Sequence, residues 1–411
     1  MHIGLIDTSL VGSRGSMARY RDQLVRALAD YQGQSVQTSV LSLGPSSQQL
    51  RRVPRPLRSI LRHGFTWNAA RKIDPSEFDL LHLLDGSFGY VASALRTQRY
   101  VTTVHDLIPR LQTQGTFAKA PRVGRFASAI VNRSLRGVAG ARAICCDSHC
   151  TAADLMGTQF VSDDQVSVVH LGLTDGLTKD EIQSDRSFAS RPEDGVSDPV
   201  ILHVGNNGFY KNRLGVIEVF ERIAAVRKAQ LVLAGELPST AILDRVASSA
   251  FSKQIQVRSD LTDGQLYKLY RSSALLLFPS WYEGFGWPPL EAMAVGCPVV
   301  CSSAGSLAEI VGDAAAISHP GDTVGLANHC LRLLGDIPYR ERMIQRGVTQ
   351  SAQFSWEKTA QEMARFYARA LFENQASVEN HPGGEHGRKV SANRYSASQV
   401  SKQPRRQRSL R

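Results

Sequence analysis

Two short apolar runs, Ala274-Leu-Leu-Leu-Phe-Pro279 and Pro298-Val-Val-Cys-Ser302, bracket Ser280-Trp-Tyr-Glu-Gly-Phe-Gly-Trp-Pro-Pro-Leu-Glu-Ala-Met-Ala-Val-Gly296. Apolar runs of strand length without polar alternation belong to parallel strands covered on both faces, so the stretch predicts a strand, a loop, a helix and a second strand. The helix is expected to begin near Pro288 and Pro289, where proline removes no intrahelical hydrogen bond, and to stop at Gly296 ahead of Pro298. It is short, and its N-terminus is expected to stand open.

Such a tip carries partial positive charge and unpaired N–H groups, and the Gly284-Phe285-Gly286 turn brings further backbone donors close, which suits an anion such as a phosphate. Glu283 in the loop and Glu291, placed in the first turn, suit hydroxyl groups on a sugar or a ribose. The competing reading is a solvated loop residue and a carboxylate answering the helix dipole. The same strand, glycine loop and helix recur at residues 2–8, Leu10-Val-Gly-Ser-Arg-Gly-Ser-Met17 and 18–30. They recur again from Pro199 to Arg213, where Gly205 and Asn206 open the loop and Lys211 reaches an anion seated there. His105 and Asp106 end the strand that starts at Tyr100, and in an open α/β sheet the carboxyl ends of strands face the ligand crevice. A buried, hydrogen-bonded histidine is the alternative. Ile144-Cys-Cys-Asp-Ser-His149 is a further strand, ending at Ser148.

Glu-Gly-Phe-Gly-x-Pro-Pro-Leu-Glu-Ala-Met-Ala-x-Gly-x-Pro-Val-Val, followed by Gly305-Ser-Leu-Ala-Glu-Ile310, resembles the Glu-x7-Glu signature of the family 4 (group 1) retaining glycosyltransferases. The resemblance implies an α/β chain of GT-B fold, with two Rossmann-like doubly wound domains facing across a cleft. It carries over Gly15 for the donor diphosphate, where the family has Gly-Gly and this chain Gly15-Ser16. It carries over Lys211 for the phosphates, where the family has Arg-Lys-Asn and this chain Tyr210-Lys211-Asn212; Arg213 and Arg14 are the nearby cations to replace the missing one. It implies a nucleobase against Val257–Leu261, with Leu261 a contact, and His105 beside the transferred sugar. The donor-binding set is then Gly15, Gly205, Asn206, Lys211, Leu261, Glu283, Gly284, Phe285, Gly286 and Glu291; the catalytic set is His105, Glu283 and Lys211, with no metal ligand.

A chain of 411 residues has length for two domains with their own cores. Residues 1–172 are expected as an acceptor-side domain completed by a C-terminal helix at 355–373, residues 173–198 as a linker, and residues 199–354 as the nucleotide-sugar domain. Of the formal charge of +11, the segment His381–Arg411 supplies +7, with eight Lys/Arg against one Glu. That tail, expected from residue 376, has too little apolar surface to order itself. Residues 50–72 set Leu50, Val53, Leu57, Ile60 and Leu61 among Arg51, Arg52, Arg55, Arg58, Arg62, Arg71 and Lys72, a pattern interrupted by Pro54 and Pro56. Such an amphipathic basic pattern suits an anionic membrane surface or a core-facing helix with a solvated basic face. Six cysteines, Cys145, Cys146 and Cys150 bunched and Cys297, Cys301 and Cys330 scattered, give no disulfide framework, and Cys145, Cys146, Cys150 and His149 have no second pair at zinc-site spacing. No leader is read before the first strand and no apolar run approaches the ~20 residues of a membrane span, so a cytoplasmic location is expected, with peripheral contact at the membrane's inner face.

These readings converge on a retaining hexosyltransferase in polysaccharide or glycolipid assembly. The donor is a GDP- or UDP-sugar, mannose being favoured by resemblance of His-Asp-Leu-Ile-Pro109 to mannosyltransferases, and the acceptor a saccharide or lipid-linked saccharide. No resident cofactor and no specific nucleic acid enter. Lys211, the Gly15 amide and the amides around Phe285 would stabilise charge on the departing diphosphate, such fixed donors being typically worth about 3 kcal/mol each. No Asp-x-Asp stands at a strand end of the nucleotide domain, so no metal is called for in that role. The alternatives are a nucleotide-sugar epimerase on the same fold and a non-enzymatic peripheral membrane scaffold with an inactive sugar site. Stabilisation by GDP or UDP that is lost in Lys211→Ala separates the enzyme from the scaffold.

Overall fold

The computed structural model describes residues 1–13, 15–31, 36–46, 49, 53–117, 120–173 and 198–379, without the side chains of residues 55, 56 and 373–379. Arg14, most of the expected linker and residues 380–411 of the expected tail lie outside the described residues. Met1–Leu371 form one compact unit on two six-stranded parallel sheets.

The first sheet holds β1 (His2–Asp7), β2 (Gln37–Ser42), β3 (Leu80–Leu83), β4 (Tyr100–Val104), β5 (Ile144–Cys146) and β6 (Val166–Val168) in the order β2-β1-β3-β4-β5-β6. The second holds β7 (Val200–Gly205), β8 (Gln230–Gly235), β9 (Ile255–Ser259), β10 (Leu275–Phe278), β11 (Val299–Ser302) and β12 (Ala315–Ser318) in the order β12-β11-β10-β7-β8-β9. These are two Rossmann-like, doubly wound sheets. The largely apolar strands β3, β10 and β11 are buried at every residue, His82 and Ser302 included, as strands covered by helices on both faces require. The winding reverses between β1 and β3 in one sheet and between β7 and β10 in the other, and ligands of open α/β sheets bind outside the strand ends at such reversals.

The helix Trp356–Glu379 returns to the first sheet, with Trp356, Ala360, Met363 and Tyr367 buried beside Ile3, Leu5 and Leu80. Tyr367 Oη lies 2.7 Å from Nδ1 of the fully buried His82. Residues 376–379, expected as the start of the tail, continue this helix. The same core takes in Phe285, Trp287, Leu290 and Ile310 from the second half of the chain. One apolar cluster therefore joins the loop that carries Phe285 and Trp287 to the first sheet.

Residues 50–52 lie outside the described residues; Pro54 and Pro56 stand at the start of the helix Arg55–Ala70, since proline is tolerated in a first turn. The core-facing alternative fails for its apolar row. Leu57, Ile60, Leu61 and Phe65 are each about half exposed, at 48%, 48%, 50% and 49%, while Thr66 and Ala70 face inward. No helix among the described residues is long and apolar enough to cross a membrane.

Candidate active site

At the reversal of the second sheet, β7 ends in Gly205 and passes through a short 3-10 turn, Phe209–Lys211, into the helix Arg213–Ala224. Asn212 sits in the left-handed region at φ 52°, which asparagine tolerates, and its side-chain oxygen caps that helix by accepting the Gly215 N–H. Its amide donates to the carbonyls of Pro279 at 2.9 Å and Pro320 at 3.2 Å. The turn is thereby fastened to β10, and Lys211 is aimed across the reversal. A Cβ at Gly205 would lie 3.3 Å from Lys211 Cγ, so glycine gives the lysine its passage. Lys211 Nζ lies 2.9 Å from each carboxylate oxygen of Glu283.

The Glu283 loop is held from both sides. Its carbonyl accepts from the backbone N–H and the hydroxyl of Ser306, and a Cβ at Gly305, φ +62°, would stand 2.3 Å from that carbonyl oxygen. Gly284 presses on the first sheet: its carbonyl accepts the Ser148 hydroxyl at 2.7 Å, and a Cβ there would be 1.8 Å from the His105 carbonyl oxygen. Gly286, at φ +102°, caps the helix Trp287–Ala294. The tip expected to stand open is enclosed: Phe285 and Trp287 are buried, and Trp287 donates its indole N–H to Gly172 O at 3.1 Å. Their apolar bulk draws the tip into the shared core, where burial outweighs exposure of the amides.

Glu291 stands just past the first turn, with its side chain only 2% exposed. The fully buried Tyr270 donates its hydroxyl to one carboxylate oxygen at 3.0 Å. Arg19, from the first turn of the helix Ser16–Asp30, reaches the other at 2.9 Å and Asp263 at 3.1 Å, with its guanidinium 5.9 Å from the Trp287 ring centroid. Gly15 is the N-cap of that same helix, so its end of the first sheet faces the Glu291 side. Sequence reading missed Arg19, which carries no motif of its own; its place four residues after Gly15 is the signal that could have found it.

His105 follows β4. Nδ1–H donates to Asp147 Oδ2 at 2.6 Å and Nε2 faces the Leu84 carbonyl at 2.8 Å. A carbonyl only accepts, so Nε2 is protonated too, and the ring is an imidazolium. Burial works most strongly against that charge, but the attraction and hydrogen bond of Asp147, joined by Asp85 and the Leu84 carbonyl, together outweigh it, and the pKa is raised to about 9. Beside it, Asp106 is pushed up to about 6 by burial, further raised by Asp85 and Glu283 and restrained by the Ile108 N–H.

Two further expected residues have partners in and around the loop. Arg213, offered as replacement for the missing cation, is buried and donates to Asn207 Oδ1 and to the carbonyls of Glu236 and Ala234. It braces the loop and does not enter the reversal. Asn206 accepts from Gly208 N–H and donates to the Tyr210 hydroxyl, shaping the turn. Leu261 is half-buried against the cluster of Leu202 and Phe278, just after β9.

Residues 17–175 match the model of Glycosyltransferase Family 4 and residues 186–350 that of Glycosyl transferases group 1. The chain is 33% identical over 170 residues to the O-antigen chain mannosyltransferase B of Escherichia coli, covering 40% of this chain and 45% of that one. It is 28% identical over 229 residues to the MMP alpha-(1->4)-mannosyltransferase of Mycolicibacterium hassiacum, covering 54% and 53%. The matched segments thus span about half the length of these relatives. Among solved structures, sucrose-phosphate synthase from Thermosynechococcus elongatus superposes with a TM-score of 0.67 at 22% identity, over 91% of this chain and 100% of that one. HepE from Anabaena, in complex with UDP and glucose, gives 0.66 at 17%, over 90% and 99%.

Proposed function

The chain belongs to the group 1, family 4 glycosyltransferases, of GT-B fold, and on that premise we propose that it moves a hexose, mannose first, from a nucleotide diphosphate sugar to a saccharide or lipid-linked acceptor with retention of configuration. The observation that carries this reading is the paired arrangement at the β7/β10 reversal: two carboxylates eight residues apart, Glu283 and Glu291, each held by a cation, Lys211 and Arg19. One pair suits the sugar and the diphosphate, the other the ribose. The mannosyl preference is supported by the two mannosyltransferases above; a GDP-sugar is put before a UDP-sugar on the same ground.

In this reading the bond between the anomeric carbon and the diphosphate oxygen breaks as the acceptor hydroxyl bonds to that carbon. Lys211 and the Gly15 amide stabilise the charge left on the diphosphate, so the step needs neither a metal nor a resident cofactor. Both His105 nitrogens already donate, so the histidine supplies fixed positive charge and the acceptor's proton passes to the departing phosphate oxygen. The half-exposed row Leu57, Ile60, Leu61 and Phe65, with Arg71 and Lys72 exposed at the end of its helix, supports peripheral contact with an anionic membrane that presents the acceptor.

Calorimetry with GDP, UDP, GDP-mannose and UDP-glucose tests the reading. Micromolar binding of one diphosphate, lost in Lys211→Ala, supports it; no binding of any of the four sinks it in favour of an inactive scaffold.

A further inference from the structure

We propose that His149, His170 and Glu309 form a binding site for a divalent transition metal of the zinc type, pinning the first sheet's half of the chain to the second. The three residues come from separate elements: His149 opens the helix His149–Met156, His170 follows β6, and Glu309 lies in the helix Leu307–Val311 of the other half. One ligand atom from each lies within 4.8 Å of the other two. Zinc at about 2.1 Å from nitrogen and oxygen ligands holds neighbouring ligand atoms roughly 3.4 Å apart in tetrahedral geometry, so modest side-chain rotation closes the site. His170 Nε2 and Glu309 Oε1 already stand 2.7 Å apart, and the two imidazoles lie 5.6 Å between centroids.

The donor set is two imidazoles and a carboxylate, the three-ligand combination that leaves a fourth position open on zinc. Outer contacts hold it in place, as metal ligands require. The Glu309 carboxylate accepts the N–H groups of His149 at 2.9 Å and Cys150 at 3.1 Å. The His170 carbonyl accepts the Thr359 hydroxyl at 2.8 Å, and its ring packs edge-on to Phe354. The His149 ring is exposed, giving an ion its way in. Sequence reading considered His149 only with Cys145, Cys146 and Cys150, the first two of which are buried inside β5. Its partners are distant along the chain.

Three residues before Glu309, Ser306 holds the carbonyls of Glu283 and Phe285. An ion here braces the donor loop against the first sheet. This consequence rests on the transferase reading: zinc slows turnover several-fold in the wild type and leaves His149→Ala unaffected.

The site itself is tested without reference to turnover, by titrating zinc into the full-length chain in a calorimeter and recording the visible d–d spectrum of the cobalt-substituted form. One ion per chain at micromolar affinity is expected, weakened at least about tenfold in His149→Ala and in His170→Ala and unchanged in Cys150→Ser. The exposed ring of His149 makes its replacement safe for folding, which thermal melting verifies. Absence of saturable zinc binding, affinity unchanged from the wild type in either histidine variant, or loss in Cys150→Ser would each overturn the site.

Discussion

Lys211 and Glu283, 72 residues apart, hold each other across the winding reversal of the second sheet, the ammonium 2.9 Å from both carboxylate oxygens and both side chains about nine-tenths buried. The same lysine lies 4.9 Å from the Phe278 ring centroid and 5.4 Å from that of Tyr210. Two charges removed from water stabilise the fold little as a pair, yet each is costly if left alone.

Lys211→Met therefore costs about 3 kcal/mol of stability, because it strands the Glu283 carboxylate, and Lys211→Met/Glu283→Gln recovers most of it. Urea unfolding of the two variants reads the difference. Nucleotide binding stays lost in both; recovery of binding in the double variant would show that the lysine does not meet the phosphates.

Glu291 has two partners drawn from opposite halves, Tyr270 and Arg19. If its carboxylate takes ribose hydroxyls, Glu291→Gln lowers nucleoside diphosphate affinity at least about tenfold, or roughly 1.4 kcal/mol, while weakening inorganic pyrophosphate far less. Equal losses for the two ligands would move Glu291 away from the ribose. Arg19→Ala removes a cation from the cleft and weakens pyrophosphate as well, which separates the two residues by calorimetry.

The loop from Ser280 to Gly296 was legible in the sequence because its constraints are local. Proline at a first turn, glycine where φ must be positive and apolar runs of strand length act within a few residues, and Gly286 and the helix Trp287–Ala294 fell where they put them. The return of the last helix was legible only through resemblance. The Arg19–Glu291 and Ser148–Gly284 contacts span 272 and 136 residues, distances at which spacing says nothing. The enclosure of the tip by Phe285 and Trp287 was missed because aromatic residues beside glycine read equally as ligand-facing or core-facing until the first sheet is in place. The charge on His105 likewise depends on Asp147 of another strand end.

Titration follows from burial and partners. The His105 pKa is raised from its ordinary 6.5 to about 9, so the folded state binds its proton more tightly than the unfolded chain does. Its stabilising contribution is complete below pH 6.5 and disappears as pH rises through 9. His82 and His203, lowered to about 3 by burial, act oppositely: the unfolded chain protonates them first, so stability falls as pH drops from 6.5 towards 3. Denaturant midpoints from pH 4 to 10 are expected to peak between these limits, and the stability gap between wild type and His105→Gln to shrink only above neutrality. A gap that narrows on acidification instead would refute the assignment of the imidazolium.

Gly284→Ala places a methyl 1.8 Å from a backbone oxygen of His105, where no side-chain rotation relieves it. Overpacking costs about 3 kcal/mol, and the Ser148 hydrogen bond to the same peptide goes with it. Thermal unfolding shifted by less than a degree would mean that the loop and the first sheet separate freely in solution.

The row on the helix Arg55–Ala70 gives the clearest separation of stability from function. Ile60 and Leu61 are half exposed, so Ile60→Ser/Leu61→Ser changes folding stability by no more than about 0.5 kcal/mol. If those side chains enter a lipid interface, each contributes about 1 kcal/mol to partitioning by its apolar area, and the pair weakens vesicle binding about thirtyfold. Sedimentation with anionic vesicles measures this, and neutral vesicles isolate the apolar part, since Arg71 and Lys72 attract only the charged surface. Binding that responds to salt but not to Ile60→Ser/Leu61→Ser would leave attraction by the basic residues alone, with the apolar row facing water or another protein.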